Sequence, residues 1–378
     1  MDKKRVLFTA TVVKQHIMTF HVPYRRMFQQ MGWQTAVAAS NDYEDPTELN
    51  IPNCDAYYEI PFERQPWKAG NIRAYRQLKQ IIDRENFDII HCHTPMGAMI
   101  TRLAAAGARK RGTKVIYTAH GFHFHKGSSV VSWLMYYPVE WVLAHLTDVL
   151  LTMNREDHAL AVKRMHAKRV EYVPGVGIDT GRFASHRDDR QEKRRELGFG
   201  EEDFLILTVA EMNKNKNQSM VLKAMALLKD REEFSGMKYL ICGMGEYGSV
   251  LQQEAKDLGI ADHVFFMGYR RDIPQIHRCC DLFAFLSYRE GLPVALMEAM
   301  SSGMPTVCSA ARGNTDLVEN GKEGLIVENT PQAVADAILK LYHDPQLRRS
   351  FGRAAVEKVQ QYDNRNVHRI MRDIYLSV

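Results

Sequence analysis

The sequence has little of what marks secreted or membrane-spanning proteins. It contains 6 cysteines in 378 residues and no Cys-x-x-Cys pair, so we expect no disulfide framework, no structural zinc site and a reducing compartment. The most apolar stretch, residues 130–153, is interrupted by Glu140, His145 and Asp148, and lacks the roughly 18 uninterrupted apolar residues that span a membrane. The first apolar run is too short for a signal peptide. We expect a cytoplasmic protein, at most peripheral at the inner face of the cell membrane.

Familiar cofactor signatures are also absent. Neither half carries Gly-x-Gly-x-x-Gly or a Walker P-loop, which argues against a dinucleotide-dependent dehydrogenase or an NTPase. His91-Cys92-His93 looks like a metal-binding run, but neighbouring residues of a strand point to opposite faces, so one ion could not take all three. We therefore predict no metal there.

The features that are present are typical of a globular protein. The sequence is 45% hydrophobic and 25% charged, and its length suggests two domains. Residues 1–180 contain 23 Lys and Arg against 17 Asp and Glu, and they also contain 10 of the 15 histidines. This asymmetry indicates an anionic surface or partner for the first half, or merely solvated basic helix faces.

Short apolar segments alternate with amphipathic ones along both halves. This pattern predicts an α/β fold of two Rossmann-like, doubly wound parallel-sheet domains facing a cleft, because apolar strands joined by helices form sheets covered on both faces. The predicted strands are residues 5–9, 35–39, 88–92, 114–118, 148–152 and 170–173, then 204–209, 238–242, 264–267, 282–286, 305–308 and 324–327.

A polar, charge-dense stretch separates the two series of strands. It predicts a first domain at residues 1–180, a linker region at residues 181–200 and a second domain at residues 201–378. The last helix, about residues 363–378, is expected to pack back on the first domain. Doubly wound sheets bind ligands at the carboxyl ends of their strands, so we expect the functional residues there.

The most informative window, residues 282–300, reads as a buried strand, a short loop and a helix. Pro293 stands where the helix begins, a position that suits proline. The backbone N–H groups of Gly291, Leu292 and Val294 would then face the cleft at a helix N-terminus, which is an anion site suited to phosphate.

Two glutamates flank this helix start. Glu290 precedes it, and Glu298 lies roughly 7–8 Å along the helix axis from Pro293. This spacing suits one acid near a group beyond the phosphates and one near a ribose. A carboxylate commonly binds a ribose by accepting hydrogen bonds from its hydroxyls. The alternative is that both are surface acids that stabilise the helix dipole.

Strand, Glu-Gly-Leu-Pro, helix and Glu-Ala-Met together resemble the retaining nucleotide-sugar glycosyltransferases of family 4, whose Glu-x7-Glu signature matches Glu290 and Glu298. Residues 119–124 and 213–217 resemble segments of bacterial exopolysaccharide or capsule transferases. The resemblance implies the B-type fold of two Rossmann-like domains. Further matches in the family's order are residues 88–93, 118–121, 174–179, 183, 268–273, 303–305, 313–316, 320–321 and 324–327.

The resemblance implies a donor site in the second domain. Glu298 would hold the ribose of a nucleotide-diphosphate sugar, Glu290 would orient the sugar hydroxyls, and Lys216 would stabilise the departing diphosphate. The expected donor-binding residues are Glu298, Gly291, Leu292, Pro293, Val294, Tyr269, Arg270 and Lys214.

Two loops depart from the family pattern. In the first loop of the chain, where many members have a Gly-Gly pair, this chain has Thr9-Ala10-Thr11-Val12. The second departure is in the loop after the first strand of the second domain. Where the family commonly has Gly-Arg, this chain has Ala210-Glu211, and a glutamate would repel a diphosphate. The resemblance therefore carries over the phosphate-binding lysine as Lys216, with Lys214 as a second cation, but not the arginine. Lys216 could instead be a solvated loop residue.

In the first domain, His120 follows a predicted strand and matches the family, which implies a catalytic role at the sugar or acceptor, beside Glu290 and Lys216. It could alternatively be a satisfied histidine at a strand end. The expected acceptor-side residues are Thr11, His16, His123 and His125, although the last two could merely belong to a loop.

The resemblance implies a retaining hexosyl- or N-acetylhexosaminyl-transferase that moves a sugar from a UDP-sugar to a lipid-linked saccharide in exopolysaccharide or capsule-type synthesis. No Asp-x-Asp pair is present to bridge a metal to the phosphates, so we expect no metal and no other cofactor. A membrane surface is an expected partner of the first domain, and nucleic acid is not. The alternatives are an epimerase or phosphorylase of the same fold, or a catalytically inactive sugar-nucleotide-binding subunit.

Overall fold

The computed structural model describes every residue except 1–2, 64, 66 and 185–189. The chain divides into two compact units, each built on one parallel sheet. Unit 1 comprises Met1–Val176 and Val367–Val378, and unit 2 comprises Gly177–Asn366. The predicted α/β class with two doubly wound parallel sheets is therefore confirmed.

Unit 1 contains a seven-stranded sheet. Its strands are β1 (Arg5–Val12), β2 (Gln34–Ser40), β3 (Ala56–Glu59), β4 (Ile89–His93), β5 (Lys114–Ala119), β6 (Val149–Thr152) and β7 (Arg169–Tyr172). Its helices are α1 (Val22–Gln30), α2 (Gly70–Glu85), α3 (Pro95–Ala104), α4 (Ala106–Lys110), α5 (Val130–Ala144) and α6 (Arg155–Arg164). A π-helical turn, Val13–Met18, follows β1 directly.

Unit 2 contains a six-stranded sheet. Its strands are β8 (Phe204–Val209), β9 (Met237–Cys242), β10 (Val264–Gly268), β11 (Leu282–Phe285), β12 (Thr306–Ser309) and β13 (Gly324–Val327). The helices from here on are α7 (Thr180–Phe183), α8 (Arg190–Leu197), α9 (Gln218–Leu228), α10 (Gly248–Asp257), α11 (Ile273–Cys279), α12 (Val294–Ser301), α13 (Arg312–Leu317), α14 (Pro331–His343), α15 (Pro345–Val359) and α16 (Asn364–Leu376).

The central strands bury both of their faces because helices cover both sides of each sheet. On β1, Phe8 packs into one core of unit 1 and Leu7 into the other. On β8, Ile206 and Leu207 divide in the same way between the two cores of unit 2. This arrangement explains why the strands are continuous apolar runs rather than alternating ones.

The predicted strands are all present, with ends that differ by up to three residues, and one further strand exists. β3 is not predicted because it lies at the edge of the sheet with its residues half-buried or exposed, so it has no continuous apolar run.

The boundary between the units differs from the predicted one. The described residues of the expected linker belong to unit 2, and residues 185–189 lie outside the described part of the chain. Arg194 of α8 is 2% exposed, donates to the Cys279 carbonyl (2.9 Å) and forms an ion pair with Asp281 (2.7 Å). The charge-rich helix α8 therefore packs against the core of unit 2. Its Arg194 donates to loop carbonyls that would otherwise lack hydrogen-bond partners.

The last helix, α16, has most of its length in unit 1. Val367, Met371 and Tyr375 pack into one of that unit's cores. The Tyr375 hydroxyl also bonds to His91 Nδ1 at 2.6 Å. The end of the chain therefore completes the first sheet's covering layer.

Both sheets have the same strand order apart from one extra strand. The order is β3-β2-β1-β4-β5-β6-β7 in unit 1 and β10-β9-β8-β11-β12-β13 in unit 2. The direction of strand addition reverses between β1 and β4, and again between β8 and β11. In such sheets the crevice at the reversal is where ligands bind, so the loops after these four strands carry the candidate site.

Candidate functional site

In unit 2, asparagine side chains tie the loop after β8 to the loop after β11. Asn217 Nδ2 donates to the Leu286 carbonyl at 3.1 Å, and Asn215 Nδ2 donates to the Arg289 carbonyl at 3.0 Å. These side-chain amides continue the connection between the two strands beyond their last paired residues. They therefore fix the position of the loop that carries the predicted phosphate-binding lysine.

Lys216 and Glu290, two of the predicted catalytic residues, form an ion pair. Lys216 Nζ lies 2.7 Å from Glu290 Oε1, and the two side chains are 22% and 9% exposed. The same ammonium group lies 5.1 Å from the centre of the Phe285 ring, a cation–π contact. Lys214 and Glu211, by contrast, have exposed side chains. Only one of the two predicted lysines is therefore built into the site.

The backbone beside Glu290 is also held by α13. Arg312 Nε donates to the Glu290 carbonyl at 2.9 Å. Gly313 lies so close to Gly291 that a Cβ at position 313 would be 2.3 Å from the Gly291 oxygen. Only glycine permits this approach, so α13 fixes the loop that leads into α12.

The helix α12 begins at Val294, one residue later than predicted, and Pro293 occupies its N-cap position. Proline cannot supply a capping side chain, and the helix has no side-chain cap. The first N–H groups of a helix have no partner within it. The loop residues Gly291 and Leu292 therefore lead into an uncapped, positively polarised helix start, as an anion site requires.

Glu298 lies in the second turn of α12 and is mostly buried. Burial raises the pKa of its carboxyl to about 7, and Arg182 opposes part of this rise. Its carboxylate has no hydrogen-bond partner within the described part of the chain. Such a group gains most from a ligand that donates hydrogen bonds to it.

The predicted base-binding loop follows β10. Tyr269 is 71% exposed. Arg270 instead forms a two-pronged pair with Asp272, at 2.8 Å from Nε and 2.5 Å from Nη2, and Lys193 Nζ lies 2.6 Å from the same carboxyl. Arg270 therefore braces the loop, which differs from its predicted role as a donor-binding side chain.

In unit 1, His120 directly follows β5, and α6 holds the loop after it. Asp157 is fully buried, and its carboxylate accepts the Phe122 N–H at 3.0 Å and an Asn154 side-chain N–H at 2.8 Å. Burial lowers the pKa of His120 to about 4, so its imidazole is neutral near pH 7. Asp157 is not predicted from the sequence, although Asn154-x-x-Asp157 is a recognisable helix-capping pattern.

Two threonines join the carboxyl ends of β1 and β4. Thr11 Oγ1 and Thr94 Oγ1 are 2.7 Å apart, and the Thr11 N–H donates to Thr94 Oγ1 at 3.1 Å. Thr94 has a φ of 63°, which is unusual for a β-branched residue. Backbone strain of this kind is concentrated at ligand-binding edges.

A cavity of about 410 Å³ opens beside these threonines. Its lining includes Thr11, His16 and His123, three of the four predicted acceptor-side residues. Tyr136 also lines it and stacks on His123, with ring centres 4.6 Å apart. His125 lies outside the lining, and its Nδ1 is 2.9 Å from the carbonyl of the next residue. His125 therefore lies in its own turn and outside this cavity, apart from the other three predicted residues.

A second cavity, of about 230 Å³, adjoins the first and is more apolar. The two share Pro95, Met96, His123 and Tyr136, and α5 adds Met135 and Val139 to the second. Both cavities are mostly apolar, and the first has the larger polar share.

Histidines from distant parts of unit 1 meet at this edge. The rings of the predicted His16 and His120 are 4.8 Å apart. They are adjoined by His93, which the sequence shows only within the run His91-Cys92-His93, and by His21, which is not predicted. His91 differs because both of its nitrogens are bonded, to Tyr375 and to Thr118. The signal for His93 is the strand period, which places it on the face shared with His91.

Two family models match this chain. "Glycosyl transferase 4-like domain" matches residues 24–175, and "Glycosyl transferases group 1" matches residues 189–358. "Putative glycosyltransferase EpsD" of Bacillus subtilis (strain 168) is 38% identical over 375 residues, which cover 98% of this chain and 96% of that protein. "UDP-Gal:alpha-D-GlcNAc-diphosphoundecaprenol alpha-1,3-galactosyltransferase" of Escherichia coli is 27% identical over 293 residues, 75% of each chain.

The fold is also similar to that of a solved structure. HepE of Anabaena, crystallised in complex with UDP, superposes with a TM-score of 0.80 and covers 100% of both chains at 20% identity. The similarity of fold extends over both units.

Proposed function

Because the chain belongs to the group 1 glycosyltransferases of family 4 and has their B-type fold, we propose that it is a retaining transferase that moves a sugar from a UDP-sugar to a lipid-linked saccharide. The observation that carries the proposal is the Lys216–Glu290 ion pair beside the uncapped start of α12. A cation and a positively polarised helix end at one point favour a diphosphate.

The donor is proposed to bind to unit 2. Uridine is favoured because the Escherichia coli relative is described with UDP-Gal and the Anabaena structure contains UDP. Glu298 would accept the two ribose hydroxyls, and the exposed Tyr269 would contact the base. Glu290, which is paired with Lys216 in the unliganded protein, would orient the sugar hydroxyls.

The proposed chemistry is electrostatic. As the bond between the sugar and the diphosphate breaks, Lys216 and the first N–H groups of α12 would stabilise the developing negative charge, which is usually the largest catalytic effect in such sites. The acceptor hydroxyl would attack on the same face and pass its proton to the departing phosphate oxygen, so that the configuration is retained. The cation is a lysine, and we therefore propose that transfer needs no Mg²⁺ or Mn²⁺ at the diphosphate. Activity that rises from zero with added Mg²⁺ would contradict this.

A thermal-shift panel tests the donor site. It compares the diphosphates of uridine, guanosine, adenosine and thymidine and their sugars on the wild type, Glu298→Ala and the exposed control Glu357→Ala. A ligand at about 100 times its Kd stabilises by about 2.7 kcal/mol, which is a shift of roughly 5–10 °C. We expect a uridine-specific shift that Glu298→Ala loses and Glu357→Ala keeps.

The absence of a shift with every nucleotide would contradict the proposed donor site. Conversion of the donor without an acceptor would indicate an epimerase. Binding without turnover would indicate an inactive partner subunit.

The membrane partner is proposed to meet unit 1 at α5. Arg102, which is 1% exposed, forms a two-pronged bond to Glu140 and anchors one face of this helix at 2.9 and 3.1 Å. Several exposed apolar side chains on one helix are typical of an interaction surface. No helix in the described ranges is long and apolar enough to cross a membrane, so we propose that α5 lies on the surface. The exposed apolar residues of α5 are Val130, Val131, Leu134, Met135, Tyr136, Val139, Trp141 and Val142.

Sedimentation with anionic vesicles tests this surface. Leu134, 71% exposed on α5, is changed to Glu, and Ile72, 59% exposed on α2, receives the same change as a matched control. We expect Leu134→Glu to abolish vesicle binding and Ile72→Glu to preserve it. Equal loss in both variants, or no binding by the wild type, would contradict the assignment.

A further inference from the structure

A buried histidine cluster lies where β1, β4 and β5 end. His16 comes from the π-helical turn, His93 is the last residue of β4, and His120 directly follows β5. One ring nitrogen from each lies within 4.8 Å of the other two. His16 and His93 are 9% and 1% exposed. Three elements that are distant in sequence therefore direct imidazoles at one point.

The nitrogens of this cluster lack partners. Among the described residues, His16 Nε2, His120 Nε2 and both nitrogens of His93 and of His21 are buried without a hydrogen bond. Buried polar atoms are nearly always paired, so six such atoms in one place indicate a bound species that supplies the partner. His91 lies two residues before His93 on the same face of β4. It has the hydrogen bonds that a buried histidine normally has, since both its nitrogens are bonded.

The size and charge of the surroundings restrict what that species is. A small cavity lined by His21, His93 and His120 has a volume of about 20 Å³, which accommodates one water-sized species. No Asp, Glu, Lys or Arg of the described chain lines it. The nearby Arg25 donates to the carbonyls of Pro52 and, at 3.5 Å, Ile17. An organic anion is too large and would meet no free cation.

We propose that His16, His93 and His120 bind one divalent transition-metal ion of the zinc class. Imidazole suits Zn²⁺, Ni²⁺ and Cu²⁺, and three histidines with an open fourth position are a common zinc arrangement. His16 also lines the 410 Å³ cavity, so the ion would lie at the floor of the acceptor side. This site belongs to unit 1 and is distinct from the diphosphate of unit 2, where no metal is proposed.

Metal binding to the full-length protein tests the proposal without any sugar or nucleotide, so its failure is separable from failure of the proposed transfer. Chelator-treated protein is titrated with Zn²⁺ by calorimetry and with Co²⁺ by visible absorption. We expect one ion per chain and a four-coordinate Co²⁺ spectrum. His16→Ala, His93→Ala and His120→Ala should each weaken binding by about 100-fold or more.

His145→Ala is the matched control. His145 is exposed and its ring lies 4.8 Å from that of His166, so this pair is the kind of surface site that would bind zinc adventitiously. We expect the control to bind like the wild type. No stoichiometric ion in the wild type, or binding that survives the three substitutions, would overturn the proposal. If His93→Ala does not fold, His16→Ala in the π-helical turn decides the question, with circular dichroism to show that it is folded.

Discussion

The two units share one strand order but present different chemistry where that order reverses. After β1 and β4, unit 1 carries threonines and buried neutral histidines beside an apolar groove. After β8 and β11, unit 2 carries the Lys216–Glu290 pair and an uncapped helix start. The common topology determines where a ligand binds, and the side chains at that edge determine which ligand.

The difference is electrostatic as well as chemical. In unit 1, burial lowers the pKa of His16 to about 3 and of His120 to about 4, so these imidazoles themselves carry no charge near neutral pH. In unit 2, a lysine and a glutamate are paired, and their side chains are 22% and 9% exposed. Neutral imidazoles suit a sugar or the proposed metal ion, and a lysine beside a helix start suits a diphosphate.

Removing the cation of unit 2 has the largest expected effect on this contrast. Lys216→Ala should lower kcat by about 10²–10³-fold at saturating donor, because stabilisation of the leaving diphosphate would be lost. Lys214→Ala, on the same loop but exposed, should lower it by less than about threefold. The check is kcat measured for both variants. Equal losses would show that the ion pair has no special role.

The raised pKa of the Glu298 carboxyl predicts a smaller effect, which is a change of thermal stability with pH. Its pKa is raised from 4.5 to about 7, so the folded state favours the protonated form, and the stability this contributes at acid pH is lost as the pH rises through 7. Glu298→Gln should therefore melt about 5 °C higher than the wild type at pH 8 and close to it at pH 5, while losing nucleotide binding. An equal difference at both pH values would contradict the burial of this charge.

The smallest effect distinguishes two histidines of one loop in unit 1. His123 lines the cavity that we propose for the acceptor and stacks on Tyr136, whereas His125 is turned into its own loop. His123→Ala should raise the acceptor KM by about fivefold, as expected from the loss of a stacked contact of about 1 kcal/mol. His125→Ala should change it by less than twofold. A reversed order would place the acceptor elsewhere.

Much of the fold is readable from short apolar runs, because each central strand is buried on both faces. β3 cannot be predicted in this way because it is a half-exposed edge strand. The boundary between the units is not predictable either, because Arg194 lies within unit 2, where it bonds to carbonyl groups and pairs with Asp281. A charge-dense segment looks like a linker until its partners are known.

The candidate site shows the same division. Lys216 and Glu290 are separately predictable, but their ion pair depends on β8 and β11 being neighbours. Arg270 has the residue type of a ligand-binding side chain, yet Asp272 two positions on engages it. Asp157 and Gly313 each hold a loop of the candidate site, after β5 and before α12 respectively. These contacts join residues that are distant in sequence, so they are seen only in the folded structure.

The sequence by itself determined the α/β class, every strand of the described chain except β3 and, to within one residue, the start of α12, because these depend on residue period and on local backbone geometry. It also marked Glu290, Glu298 and Lys216 through their resemblance to a family. Only the tertiary structure decided that His16, His93 and His120 form one cluster. These residues are brought together by parallel strands that end at one edge, and no local pattern encodes such a meeting.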